Sequence, residues 1–320
     1  MRILYIGTGE IGLPALRSLL DNPAHEVCAV ICQPDKPVGR KQVLTPPATK
    51  VLAMEHDVTV YQPRRIRTEA LRVADLQPEI AVVMAYGQIL PRSVLDVPPH
   101  GCLNLHASLL PKHRGAAPIQ ASILAGDAES GITVMYMDEG LDTGDILLTE
   151  TIALAPDETG GSLHDRLALL APVALARALE LIAAGAAPRT PQDATSATHT
   201  GKLERANGVL SWEEPAENIA RRIRAFDPWP GTSTTLPDGS TVKIYPPVEA
   251  LELSSGCAPA GSVVSAGSDG LTVACGTGVV RLHQLQAEGR KRLEAAAFLA
   301  GRPLVPGDRL GFAQAGIKLP

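Results

Sequence analysis

The chain opens on an apolar run, RILYIG, then a glycine-punctuated turn, then LPALRSLL, whose apolar residues recur at helical spacing. Strand, turn and amphipathic helix in that order form the first half of a βαβ unit. The alternation continues through EVCAVICQ (strand), VLAMEHD (helix), VTVYQP (strand), TEALRVADLQ (helix) and EIAVVMAYGQIL (strand). Strands that alternate with helices in this way predict a parallel sheet. Two further apolar runs, GCLNLHAS and ITVMYM (Ile132 to Met137), read as strands. A stretch from about Gly161 to Ala184 has the Leu and Ala spacing of a long helix packed on the sheet.

The texture then changes. Residues 188–206, PRTPQDATSATHTGKLERA, have no hydrophobic period and read as a linker, with His199 solvated inside it. From Asn207 onward come short alternating runs (TSTTL, TVKIYPPVEAL, GSVVSAG, GLTVACG, GVVRLHQLQ) separated by glycine turns, which predict a small β-barrel. The expected plan is an α/β domain over 1–187 with a Rossmann-like open, largely parallel sheet, a linker over 188–206, and a barrel domain over 207–320.

Composition narrows the function. A chain of 320 residues is long for one core and comfortable for two domains, and with aromatics at 3% the cores must be built from Leu, Val, Ile and Ala. Apolar runs stay well short of the roughly 20 residues of a membrane span, and the N-terminus goes straight into a strand, so the expectation is a cytoplasmic protein with no membrane contact. Cys28, Cys32, Cys102, Cys257 and Cys275 are odd in number and lack paired CxxC spacing, which argues for reduced thiols and against a structural zinc site. The net charge of −5 has the wrong sign for bulk binding of nucleic acid. Any RNA contact must therefore come from local basic clusters.

Candidate chemistry concentrates between Asn104 and Asp145. Asn104 and His106 are two apart in a strand, so their side chains should leave one face. The following strand breaks into DEGLDTGD, a turn able to hold Asp142 against His106. A carboxylate beside an imidazole fixes its tautomer and favours its protonated form, while an amide can donate to an oxygen that gains charge. Those roles fit acyl transfer to an amine. Tyr86 and Gly87 end a fully apolar strand, where open α/β sheets place their ligands. Lys112, His113 and Arg114, just before a helix expected from about Ala116, offer an anion site, with His113 read as surface; His164 is read as structural.

Other features compete or complement. Gly7, Gly9 and Gly12 match the dinucleotide fingerprint G-x-G-x-x-G, which makes an oxidoreductase the natural rival. The second strand, however, ends in Cys32 and Gln33 where that fingerprint needs an acid. Gln33 to Lys50 is far longer than an ordinary βα connection and is rich in proline and basic residues. AENIARRIRAFDPWPG carries Arg221, Arg222 and Arg224 on one helix, and GRKR (Gly289 to Arg292) adds Arg290 and Lys291; either cluster can grip phosphates.

Four segments, QPDKPVGR (Gln33 to Arg40), AYGQILP (Ala85 to Pro91), HASLLPKHRGAAPIQ (His106 to Gln120) and RAFDPWPG (Arg224 to Gly231), together with Asn104, resemble the folate-dependent formyltransferases, and among them the methionyl-tRNA formyltransferases. The resemblance implies that Asn104, His106 and Asp142 surround the formyl group of 10-formyltetrahydrofolate and that Ser108, Leu109, Leu110 and Pro111 form a folate-contacting turn. It makes the 33–50 loop, through Arg40 and Lys41, a contact to the acceptor arm of initiator methionyl-tRNA, and the C-terminal barrel OB-like. It implies no metal, and a monomer is the default. A nucleotide-sugar amine formyltransferase keeps the same trio and changes the acceptor; a non-catalytic tRNA-binding protein keeps the fold.

Overall fold

The computed structural model describes residues 1–39, 41–252 and 258–311. The chain divides into two compact units, one of residues 1–118, 129–153 and 164–200, the other of 119–128, 154–163 and 201–320.

The first unit is built on a seven-stranded sheet: β1 (Arg2–Gly7), β2 (Glu26–Ile31), β3 (Val60–Tyr61), β4 (Ile80–Met84), β5 (Cys102–His106), β6 (Glu129–Tyr136) and β7 (Ile146–Ala153). Its order is β7-β6-β5-β4-β1-β2-β3. The strands from β5 to β3 run parallel, and β6 and β7 are antiparallel additions at one edge. The largely parallel, Rossmann-like sheet predicted from the alternation is therefore present. Leu4, Ile6, Ala29, Ile31, Ala81 and Val83 point to one face, where they pack with Ile66, Val73, Leu90 and Val94. Alternation sends Ile3, Tyr5 and Val30, all fully buried, to the other.

Helices α1 (Leu13–Leu20), α2 (Ala48–Glu55), α3 (Ala70–Asp75) and α4 (Arg92–Leu95) lie in the connections, and α5 (Pro118–Ala125) follows β5. Helix α6 (Gly160–Ala183) covers the long period read from the sequence. It buries Leu167, Ala171, Leu175 and Leu179, and Arg177 pairs with Glu150 on edge strand β7 at 2.7 Å.

The long connection after β2 is not a plain loop. Lys36–Val38 and Val43–Thr45 pair as an antiparallel hairpin whose Val38, Val43 and Leu44 are 56–65% exposed. Its base is clamped by Lys50, which reaches both Asp35 oxygens at 3.0 Å and the Gln62 amide oxygen at 2.8 Å.

The second unit carries an antiparallel sheet of β8 (Thr232–Thr235), β9 (Thr241–Leu251), β10 (Val263–Gly267), β11 (Gly270–Ala274) and β12 (Val279–Ala287), in the order β8-β9-β12-β11-β10. Each of the five short runs in the sequence becomes one of these strands. Their inward residues, among them Val242, Ile244, Val273 and Leu282, share one core with Ile219 and Ile223 of α7 (Ala216–Ala225), Phe298 of α8 (Ala295–Gly301) and Trp212. Scarce as aromatics are, Trp212 and Phe298 are placed at this centre, and the Trp212 Nε1–H donates to Thr234 Oγ1 at 3.0 Å.

Cys32, Cys102 and Cys275 are buried free thiols and Cys28 is half-buried; Cys257 lies outside the described residues. No helix among the described residues is long and apolar enough to cross a membrane.

Candidate active site

Strand β5 ends in the chemistry-bearing residues because its register is fixed on both sides: Asn104 lies between Val83 of β4 and Met135 of β6, and His106 lies opposite Thr133. With that register Asn104 and His106 share a face. Asn104 is half-buried, and its side chain makes no hydrogen bond among the described residues, which leaves the amide available to a substrate. His106 is 5% exposed.

The His106 ring has two defined neighbours. Nε2 lies 3.1 Å from the His113 carbonyl oxygen, and Nδ1 lies 3.7 Å from Asp142 Oδ2. A carbonyl can only accept, so Nε2 must carry the hydrogen. Burial pulls this imidazole below the ordinary histidine range; the Asp142 charge and the His113 carbonyl oppose that and the His113 ring adds to it. The carboxylate thus favours the protonated form, as the sequence suggests, and loss of hydration works against it. In the neutral form of the ring, with the hydrogen on Nε2, the Nδ1 lone pair faces Asp142.

Asp142 reaches that position through an unusual turn. Its backbone is left-handed, at φ 55°, and its Oδ2 accepts from the Gly115 N–H at 2.8 Å. Asp138 Oδ1 ties the start of the turn, accepting from Gly140 N at 3.0 Å and Thr143 Oγ1 at 2.6 Å. Gly144 is required at its end, because a Cβ there would overlap the Tyr136 carbonyl.

Residues that pattern reading passed over complete the support. The stretch taken for a linker is hydrogen-bonded to the site over much of its length. Thr190 exchanges backbone bonds with Ile146, at 2.8 and 3.0 Å, and His199–Thr200 pairs in parallel with Arg114–Gly115. Thr198 Oγ1 accepts from the His113 N–H at 2.8 Å, which helps aim the His113 carbonyl at His106. Gln192 bonds to Arg114 and to the Asp142 turn. Their only signal in the sequence is a polar residue within a short Pro- and Thr-rich run. His199 is exposed.

Two readings of the KHR run are corrected as well. His113 is buried at 8% exposure, since a left-handed backbone there (φ 59°) turns the chain inward. Arg114 is buried at 6% exposure with its guanidinium on the Gln192 amide oxygen, so it is no free anion site.

Ser108 to Pro111 form a turn pinned from within: Thr133 Oγ1 accepts from Leu110 N at 3.1 Å and donates to the Ser108 carbonyl at 2.7 Å, and Ser108 Oγ donates to the Lys112 carbonyl at 2.7 Å. Leu110 is buried, while Leu109 and Pro111 are half-buried. Tyr86 turns its ring into the sheet core at 3% exposure, and its carbonyl accepts from the Gln33 amide at 3.1 Å. Gly87 is exposed at the end of β4, with φ 84° and open space where a side chain would stand.

The glycine fingerprint has an internal explanation. Tyr5 is fully buried and donates its hydroxyl to the Gly12 carbonyl at 2.9 Å. A Cβ on Gly12 would overlap that hydroxyl, and one on Gly7 would crowd the same ring and the Met84 carbonyl. These glycines make room for a tyrosine. Asp35, just past β2, is held by Lys50 and Gln62.

The basic residues fall into two groups. Arg222 pairs with Glu214 at 3.0 Å, Arg221 with Glu217 at 3.3 Å, and Arg224 donates to the Pro156 carbonyl at 2.6 Å. Lys41, Arg290 and Lys291 are exposed, with no charged-end contact among the described residues. Arg40 lies outside the described residues.

Comparison with known proteins places the chain in a family. The Formyl transferase family model matches residues 1–179, and the model of the formyl transferase C-terminal domain matches 202–303. The methionyl-tRNA formyltransferase of Geobacter metallireducens is 44% identical over 97% of this chain and 99% of its own length. That of Pseudomonas entomophila is 48% identical over 92% of this chain and 93% of its own. Among solved structures, the N-formyltransferase from Helicobacter canadensis, in complex with folinic acid and dTDP-3-aminofucose, aligns at a TM-score of 0.64 and 17% identity, over 88% of this chain and 99% of that one. HypX from Aquifex aeolicus, in complex with tetrahydrofolic acid, aligns at 0.59 and 18% identity over 96% of this chain, which spans 48% of HypX. At such identities these two share the fold alone; it is the family models and the 44–48% identical relatives that establish that the chain belongs to the formyl transferase family.

Proposed function

We propose that this protein transfers the formyl group of 10-formyltetrahydrofolate to the α-amine of methionyl initiator tRNA, acting as a monomer in the cytoplasm. The observation that carries the reading is the buried His106 whose Nδ1 faces a carboxylate at 3.7 Å, on the same strand face as an uncommitted amide, in a chain 44–48% identical to methionyl-tRNA formyltransferases. The acceptor amine attacks the formyl carbon, and the Asn104 amide donates to the formyl oxygen as it gains negative charge. His106 Nδ1 takes the proton that the amine releases, directly or through one water, and Asp142 stabilises the imidazolium so formed. His106 then returns that proton to the folate nitrogen as the carbon–nitrogen bond to it breaks. The products are formyl-methionyl-tRNA and tetrahydrofolate, and no covalent enzyme intermediate is required.

The residues around the trio suit a folate. The turn Ser108 to Pro111 is held rigid by Thr133, and Gly87 leaves open space at the end of β4. For the tRNA, the exposed charges Lys41, Arg290 and Lys291 are the candidate phosphate contacts, because Arg221 and Arg222 already have acidic partners. Arg40, outside the described residues, stays with Lys41 as the family-based candidate.

The test is a transfer assay with 10-formyltetrahydrofolate and methionyl initiator tRNA, following both folate deformylation and formyl label on the tRNA. Label on the tRNA is the expected result. Folate turnover without labelled tRNA would move the acceptor to an amino sugar or water, and absence of turnover would overturn the reading.

A further inference from the structure

We infer that Gln192 is a positioning residue for the transfer, holding the Asp142 carboxylate against His106 from the stretch that composition marks as a linker. The inference rests on the formyl-transfer reading above.

Every polar atom of the Gln192 side chain is engaged. Nε2 carries two hydrogens and meets the Asp142 carbonyl at 2.9 Å and the Gly144 carbonyl at 2.7 Å. Oε1 accepts from Arg114 Nε at 3.0 Å and Nη2 at 2.8 Å. The two carbonyls belong to alternate residues, so fixing both sets two peptide planes of the turn. That turn needs fixing, because a left-handed non-glycine residue persists only where its surroundings hold it, and Asp142 is one, at φ 55°. The other end of the amide clamps Arg114, and the next residue, Gly115, donates its N–H to Asp142 Oδ2 at 2.8 Å. One side chain therefore fixes both the turn that carries the carboxylate and the strand that aims it. Gln192 is itself held by the Thr190–Ile146 bonds on one side and the His199–Thr200 pairing on the other.

The consequence for His106 is electrostatic. The titratable groups facing its ring among the described residues are the Asp142 carboxylate and the His113 imidazole; only the carboxylate favours a proton on Nδ1. Releasing the turn removes that support while leaving Asn104, His106 and the Thr133-pinned turn in place.

The experiment uses the full chain. Gln192→Met removes the polar contacts at similar volume; Gln192→Glu keeps an acceptor for Arg114 but turns an oxygen toward the two carbonyls. Both variants should lower kcat for formyl transfer to methionyl initiator tRNA on the order of 10–100-fold, the loss expected when a catalytic group is misplaced by about 1 Å. KM for 10-formyltetrahydrofolate should stay near wild type, and the acid limb of the kcat–pH profile should move to lower pH. Thermal unfolding identifies any variant that fails to fold, and Gln192→Glu, with its Arg114 pairing intact, then decides alone. Turnover within threefold of wild type in the folded variants, or a uniform loss with the acid limb unmoved, would overturn the positioning role. A wild-type protein that transfers no formyl group would sink the parent reading instead.

Discussion

Asp142→Asn isolates the charge at the site better than any other single change. Asparagine adopts left-handed backbone at least as readily as aspartate and can still accept the Gly115 N–H, so the turn should survive. What disappears is the carboxylate that faces the imidazolium formed during proton transfer. At a separation near the observed 3.7 Å and an effective dielectric of about 20, that attraction is about 4 kcal/mol, or roughly a thousandfold in rate. The carboxylate already shares its charge with the Gly115 N–H, so the expected fall in kcat is on the order of 10²–10³-fold. Affinity for the formyl donor should be nearly unchanged. The pH dependence carries an independent sign. The neutral ring is the working form, so activity falls as pH drops through the His106 pKa, which burial places below 6.5. Loss of the carboxylate shifts that limb further down. Stability follows the same direction: the unfolded chain protonates this histidine first, so its contribution is fully present above pH 6.5 and is lost as pH falls through the folded-state pKa. Rates of formyl transfer across pH 5 to 9, with tRNA and donor each saturating, provide the assay. A variant within threefold of wild type, or an acid limb that moves upward, would remove Asp142 from the proton path.

Three further outcomes separate roles that look alike in the sequence. Charge reversal at Arg290 and Lys291 should weaken tRNA binding and flatten its salt dependence by about one to two in slope, whereas Arg222→Ala should cost about 1–2 kcal/mol of stability through the lost Glu214 pair; tRNA titrations over a salt series and denaturant unfolding distinguish them, and an unchanged slope rules out the first. Gly12→Ala should destabilise by about 1–3 kcal/mol because its methyl meets the Tyr5 hydroxyl, and Tyr5→Phe should suppress much of that cost in the double variant. Additive losses in urea melts would mean that Tyr5 is not what the glycine accommodates. Thr133→Val removes the two Thr133 bonds to the turn Ser108 to Pro111, leaving the Ser108–Lys112 bond, and should raise KM for 10-formyltetrahydrofolate more than it lowers kcat; an unaltered KM would separate this turn from the donor.

The elements that pattern reading recovers are those whose signal is local. The apolar runs of β1, β2, β4 and β5 and the alternating runs of β8 to β12 each appear as strands, because burial on one or two faces writes itself directly into residue order. The spacing of Asn104 and His106 is legible for the same reason. The depth of burial of His106 is not: how completely the ring is wrapped opposes what the neighbouring acid favours, and the sequence shows only the acid. Nor is the meaning of Gly7 and Gly12 legible, since their constraint is a tyrosine hydroxyl folded back across the turn, and G-x-G-x-x-G records only that space is needed.

Residues 188–200 make the same point about linkers. Their composition lacks a hydrophobic period because they bury almost nothing; what they contribute is hydrogen bonding, and that leaves no periodic trace. Gln192 spends its whole hydrogen-bonding capacity on Arg114, Asp142 and Gly144, between 48 and 78 residues away along the chain. Thr198 reaches 85 residues back to His113, the residue whose carbonyl fixes the His106 tautomer. A carboxylate in a left-handed turn and a histidine with one committed nitrogen are both arrangements that the local chain would not hold by itself. The two side chains that hold them come from one polar segment, so shortening or replacing that segment should lower turnover before it loosens the fold.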